Sequence, residues 1–257
     1  MPVNPASRST SIQGVQRFLD RDFVTKGGYI DYYNMREEDD FPGDLLDASW
    51  AVAVDGAGTG IIPAAHGAQL VNGAVLLSTA ATNDNKVELA HGRNYQAQLS
   101  VIFETALHLD DITTVAVMAG LTDDSAEAAN STAYATAAGR VLTADDCVLI
   151  GFDTDDVTYT NWTALAGIAT VAATPVDLTA TPANGTYAIL RIEIDTSGNA
   201  DFFVGVDGTG EFTYRGSIAS AVTTTVNLCP YVAVLTRDTA VRVATVDYVR
   251  VYQPRTS

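Results

Sequence analysis

From Trp50 onward the chain is a succession of short, β-branched runs with apolar residues at alternate positions, each closed by turn residues, and helical spacing is almost absent. WAVAV (50–54), YQAQLSVIF (95–103), TTVAVMAGL (113–121) and CVLIGF (147–152) come first. YAILRIEID (187–195), ADFFVGVD (200–207), TTVNLCPYVAVL (224–235) and AVRVATVDYVRVYQPR (240–255) follow. Such alternation gives each strand one face for a core and one for water, so a second layer must cover the first. Roughly ten strands of this kind predict an all-β sandwich.

Hydrophobic residues make up 47% of the 257 positions and charged residues 18%, a balance that folds around a substantial core. The formal net charge of −17 is unevenly placed. Residues 1–28 carry four basic side chains against Asp20 and Asp22, whereas residues 94–236 carry 17 acids against Arg140, Arg191 and Arg215. A phosphate backbone would be repelled by that body, so no nucleic acid partner is expected. There is no run of 18 apolar residues and no apolar segment in the first twenty, which predicts no membrane span and synthesis in the cytoplasm. Cys147 and Cys229 lie singly in apolar strand contexts and read as small buried hydrophobes.

Residues 1–47 read as an N-terminal arm and residues 48–257 as the sandwich domain. The arm interleaves Phe18, Phe23, Tyr29, Tyr32, Tyr33 and Phe41 with charges, and is too aromatic for an inert linker. Those rings bury either on the same chain or on a partner subunit. Residues 122–140 and 171–186 are rich in Ala, Thr and Pro and are expected as loops, the first with a helical turn near Ser125.

The terminal VDYVRVYQ (246–253) resembles the closing strand of the concanavalin A-like lectin and glucanase superfamily. YAILRIEIDTSGNADFFVGVDG (187–208) is similar to that superfamily's hairpin, two alternating strands about a polar turn. The resemblance implies a jelly-roll β-sandwich over residues 48–253. WAVAVDGAGTG (50–60), YQAQLSVIFETALHLDD and TTVAVMAGLTDD resemble strands of structural proteins of tailed bacteriophages, which implies a virion protein.

Glucanases of this superfamily carry Glu-x-Asp with a second Glu four or five positions after the first, because a retaining hydrolase needs two carboxyls on one strand face. The seven glutamates are Glu37, Glu38, Glu88, Glu104, Glu127, Glu193 and Glu211, and no two are so spaced. Glu193-Ile194-Asp195 has only the first half, with Ser197 and Gly198 where the partner belongs. His66, His91 and His108 form no nucleophile pairing, and GAGTG (56–60) lacks the context of a phosphate loop. The chain is therefore expected not to be an enzyme.

No cofactor is expected. DTDDVTYTN (153–161) offers hard oxygens for a structural calcium, which the resemblance also allows, but without the spacing of an EF-hand loop. The alternative is that Asp-Asp pairs such as 155/156 bond their own turn backbones. Arg8, Arg17, Phe18, Arg21, Phe23, Tyr29, Tyr32 and Tyr33 are the candidate residues for attachment to a partner.

The leading expectation is a capsid decoration protein on the virion surface, bound to the major capsid protein or other virion proteins through the arm and assembled as a homo-oligomer. One rival is a carbohydrate-binding module of a phage fibre or spike, with Tyr134 and Trp162 in loops 122–140 and 154–170 as the glycan contacts. The other is a divergent glycoside hydrolase using Asp153 or Glu193.

Overall fold

The computed structural model describes residues 34–39, 41, 46–61, 73–92, 95–124, 133–136, 139–206 and 212–254. In chain order its strands are β1 (Asn34–Asp39), β2 (Trp50–Val54), β3 (Thr59–Ile61), β4 (Val75–Ser78), β5 (Lys86–His91), β6 (Tyr95–Gln96), β7 (Ile102–Leu109), β8 (Val115–Thr122), β9 (Ala133–Thr136) and β10 (Gly139–Leu142). They continue as β11 (Asp146–Asp153), β12 (Thr163–Ile168), β13 (Val171–Ala172), β14 (Val176–Asp177), β15 (Ala188–Ile194), β16 (Ala200–Val206), β17 (Thr213–Ile218), β18 (Asn227–Thr236) and β19 (Val243–Pro254). A single 3-10 turn, Ala97–Leu99, is the only helical element among the described residues. No helix there is long and apolar enough to cross a membrane.

Two antiparallel sheets make the sandwich. The eight-stranded sheet runs β17-β16-β15-β7-β19-β4-β3, with β1 also paired to β19. β19 is long enough for two neighbours on one side: β4 takes Val243–Val246 and β1 takes Val249–Pro254. The nine-stranded sheet runs β13-β12-β11-β8-β18-β5-β2, with β14 on β12 and β6 on β18.

The predicted alternation fills the space between the sheets. Phe103, Leu190, Ile192, Phe202, Val249 and Val251 of one sheet meet Val87, Leu89, Val117, Leu121, Val148 and Val232 of the other, all fully buried. The outer face of the nine-stranded sheet is also apolar, with Met118, Cys147, Leu149, Cys229 and Tyr231 in a second buried cluster. β8 and β11 are thus covered on both faces, which is why VAVMAGL and CVLIGF read as almost continuous apolar runs.

Four segments depart from the sequence expectations, among them the expected loop 171–186, which contains β13 and β14, both paired to β12. Asn34–Asp39, inside the stretch read as arm, is a strand on β19, because edge pairing needs only backbone groups and NMREED shows no apolar alternation to reveal it. The expected loop 122–140 contains β9, which pairs with β10. The expected loop 154–170 contains β12, whose small residues TALAGI hide their periodicity while Ala164 and Ala166 enter the core.

Aspartates close the turns. Asp111 accepts from the Thr113 amide at 2.7 Å, Asp123 from the Asp146 amide at 3.0 Å, Asp146 from the Thr223 amide at 2.6 Å and Asp156 from the Thr158 amide at 2.9 Å. Asp111 and Asp156 thus bond their own turn backbones, as turn chemistry predicts, whereas Asp123 and Asp146 bond amides of segments distant in the chain.

Candidate functional site

The site lies on the outer face of the eight-stranded sheet, at the end where β7 and β16 begin and β15 and β19 finish. Phe103, Ile192, Phe202 and Val251 point into the core, so their chain neighbours Ile102, Glu193, Asp201 and Tyr252 stand on the opposite face. Register aligns these four in one row across the sheet: Tyr252 opposite Ile102, Ile102 opposite Glu193, Glu193 opposite Asp201. They form the floor of a groove of about 400 Å³, whose rim adds Ser100, Ile194, Asp195, Asn199 and Pro254.

The next row carries the charge network that supports this floor. Arg250, Glu104, Arg191 and Phe203 are aligned across the same four strands. Glu104 is 1% exposed and accepts from the Tyr248 hydroxyl at 2.7 Å and from Arg191 Nη1 at 3.3 Å. Arg250 Nη1 approaches its Oε1 at 3.7 Å, and its guanidinium lies 4.0 Å from the Tyr248 ring centroid. Arg191 then bridges to the groove, with Nε donating to Glu193 Oε1 at 2.9 Å. Two guanidiniums thus balance two carboxylates, the arrangement that makes charge tolerable at such burial.

The β15–β16 turn forms one wall. Asp195 Oδ1 accepts from the Ser197 and Asn199 amides at 2.8 and 2.9 Å, and Oδ2 from Asn199 Nδ2 at 2.8 Å. Hydrogen bonds from Asn199 and the turn amides hold the Asp195 carboxyl below its usual range. Gly198 sits at φ +78°, and a Cβ there would come within 2.5 Å of the Val222 carbonyl oxygen, so the turn admits only glycine. The result is a fixed wall with an amide and a carboxylate beside an aromatic ring and an aliphatic side chain. Such a surface suits a ligand with apolar faces and a hydroxylated rim.

The residues expected from sequence fall elsewhere. Trp162 is corrected: it is 2% exposed, packed edge-on to Phe152 at 6.2 Å, and presents no face to a glycan. Tyr134 lies in β9 of the separate two-stranded sheet. Arg8, Arg17, Phe18, Arg21, Phe23, Tyr29, Tyr32 and Tyr33 lie outside the described residues. Asp153, one of the acids of the hydrolase reading, is 3% exposed in an ion pair with Arg237 and cannot reach a substrate. The same pairing removes oxygens from the proposed calcium loop, where Asp156 is also engaged by the Thr158 and Tyr159 amides. Among the described residues no group of three or more His, Cys, Asp or Glu is placed to hold a metal ion. Among the described sequence candidates, Glu193 alone lines the groove.

No protein-family description matches the chain, and no curated protein matches it. Solved structures do match in fold. The carbohydrate recognition domain of Emp47p aligns at 8% identity and a TM-score of 0.55, covering 87% of this chain and 96% of that one. The exoplasmic/lumenal domain of VIP36, in a Ca2+/Man-bound form, aligns at 8% identity and a TM-score of 0.55, covering 81% and 84%. Peanut lectin aligns at 9% identity and a TM-score of 0.54, covering 85% and 97%. The sandwich is therefore of the concanavalin A-like, lectin type, and at such identities the likeness is one of fold.

Proposed function

We propose that the chain is a non-catalytic carbohydrate-binding sandwich whose ligand lies in the groove over Tyr252, Ile102, Glu193 and Asp201. The cross-strand row carries this reading: Tyr252 (9% exposed), an aliphatic side chain and two carboxylates side by side beneath about 400 Å³ of open space. A sugar offers apolar C–H faces to the first two and hydroxyl donors to the carboxylates. Carbohydrate recognition domains among the structural neighbours support the same class by analogy of fold. A glycan array probed with the full chain tests it. Signal should appear and be lost in Asp201→Ala and Ile102→Lys; signal unchanged in both variants removes the groove from the reading.

One observation favours a second reading, glycoside hydrolysis. Glu193 and Asp201 are opposite in register, which places their Cβ atoms about 5 Å apart, within range of a retaining carboxyl pair. Against it, neither stands in the apolar surroundings that a general acid needs, since Arg191 holds Glu193 and Asp201 is exposed. Reducing-sugar release from a polysaccharide panel, abolished by Glu193→Gln, would establish hydrolysis.

Attachment to a virion through the arm is a separate proposal with its own test. A chain lacking residues 1–33, which keeps β1 in the sheet, should no longer join capsids if the arm is the anchor.

A further inference from the structure

The groove has a sign. Of the nine described residues lining it, Glu193, Asp195 and Asp201 are acidic and none is lysine, arginine or histidine; Arg36 of β1 is in register with Tyr252 at the far end of the row. Arg191, one row away, is 7% exposed and turns its Nε and Nη1 to Glu193 and Glu104, so its charge is spent on the network beneath. Arg250 likewise approaches Glu104. Two cations against Glu104 and Glu193 leave Asp195 and Asp201 in surplus. Asp195 is kept ionised by its turn, and Asp201 is exposed opposite Glu193. The surrounding molecule, at −17, adds to the same field.

The three carboxylates do not converge as metal ligands; they are spread along a floor that also carries Tyr252 and Ile102. Their complement is a chain of donors spaced along a ligand rather than one central ion. Resting on the carbohydrate reading above, we propose that the groove takes saccharides bearing protonated amino groups, of the glucosamine-oligomer type, and rejects uronate and sulfated ones. An ammonium group brings three donors and a charge to a row of acidic acceptors. Its N-acetylated counterpart keeps the ring faces and loses the charge. A uronate brings a fourth carboxylate beside Glu193, Asp195 and Asp201, which is discrimination by repulsion.

Calorimetric titration of the full chain with tetramers of glucosamine, N-acetylglucosamine and galacturonate, at mildly acidic pH and in low and physiological salt, tests this. The glucosamine tetramer should bind at least about tenfold more tightly than the N-acetylated one, with the advantage shrinking in salt, and the galacturonate tetramer should give no heat. Asp201→Asn should remove most of that advantage. Asp55→Asn, an exposed acid in the β2–β3 turn toward the Val243 end of β19, should leave it intact. Equal affinity for the charged and N-acetylated tetramers, or an unchanged advantage in Asp201→Asn, overturns the charge selection while leaving carbohydrate binding standing. Equal weakening by Asp55→Asn shows diffuse attraction and also overturns it. Binding of none of the three tetramers overturns this proposal; an array with no signal overturns the reading beneath it.

Discussion

Arg237 grips Asp153 with two prongs: Nε donates to Oδ1 at 2.9 Å, Nη2 donates to Oδ2, and each side chain is 3% exposed. The pair ties the end of β11 to the residue after β18, and Arg237 reaches on to Asp84. An acidic stretch that reads as a calcium loop or a catalytic acid is in this way a structural clasp.

Truncating Asp153 to alanine removes the two-pronged, buried partner of the Arg237 guanidinium and leaves it the more exposed Asp84. Urea unfolding of Asp153→Ala should show a loss of about 3–5 kcal/mol, part of which returns in the double variant with Arg237→Met. A loss within about 0.5 kcal/mol would mean that the clasp is ornamental.

The outer face of the nine-stranded sheet holds a second buried charge pair. Lys86 Nζ lies 3.0 Å from Glu88 Oε1, which also accepts from the Tyr231 hydroxyl at 2.8 Å. Burial pushes the Glu88 carboxyl above its usual 4.5, with Lys86 and Tyr231 pulling the other way. The folded form then holds its proton more tightly than the unfolded one, so this group's contribution to stability falls as pH rises from 4.5 through the raised value. Glu88→Gln alone should destabilise by leaving Lys86 without its carboxylate. The triple variant Lys86→Met, Glu88→Leu, Tyr231→Phe should unfold at the same or higher urea concentration, with a flatter profile between pH 4.5 and the raised value.

Both thiols should be silent in the folded protein. Cys147 and Cys229 are fully buried, and burial pushes the Cys147 thiol up, which suppresses the reactive thiolate. Ellman's reagent should report no free thiol until denaturant is added, and both thereafter. Prompt reaction of either in the native protein would contradict the closed outer face.

Acid should loosen the groove wall. The Asp195 carboxyl is held below its usual 3.8, first by the Asn199 side chain and then by the turn amides. A depressed value stabilises above the unfolded value and is lost as pH falls through the folded one. Between about pH 4 and pH 2 the native protein should lose more stability than Asp195→Asn, by a small margin because the turn is exposed. Identical acid limbs would show that the turn does not depend on the ionised carboxylate.

The long strands were legible in the sequence because Val, Ile, Leu and Phe alternate openly in β7, β15, β16 and β19. β12 was not, because alanine and glycine satisfy a core without marking its period, and β1, NMREED, has no apolar alternation to mark its pairing with β19. Trp162 stands among polar neighbours in YTNWTA, yet its ring turns inward beside Phe152. The groove was legible only at Glu193-Ile194-Asp195. Its row joins positions 102, 193, 201 and 252, and a one-residue slip in any of three registers would send a member to the core face. Pairing partners so distant along the chain are fixed by the whole sandwich, not by local pattern.

The most direct measurement of the central claim is the map of backbone amide shifts when the isotope-labelled full chain is titrated with the best-binding saccharide from the array. Saturable shifts should centre on Ile102, Glu193, Asn199, Asp201 and Tyr252 on the outer face of the eight-stranded sheet. Shifts that centre on the nine-stranded sheet, or that leave those five amides unmoved at saturation, would contradict it.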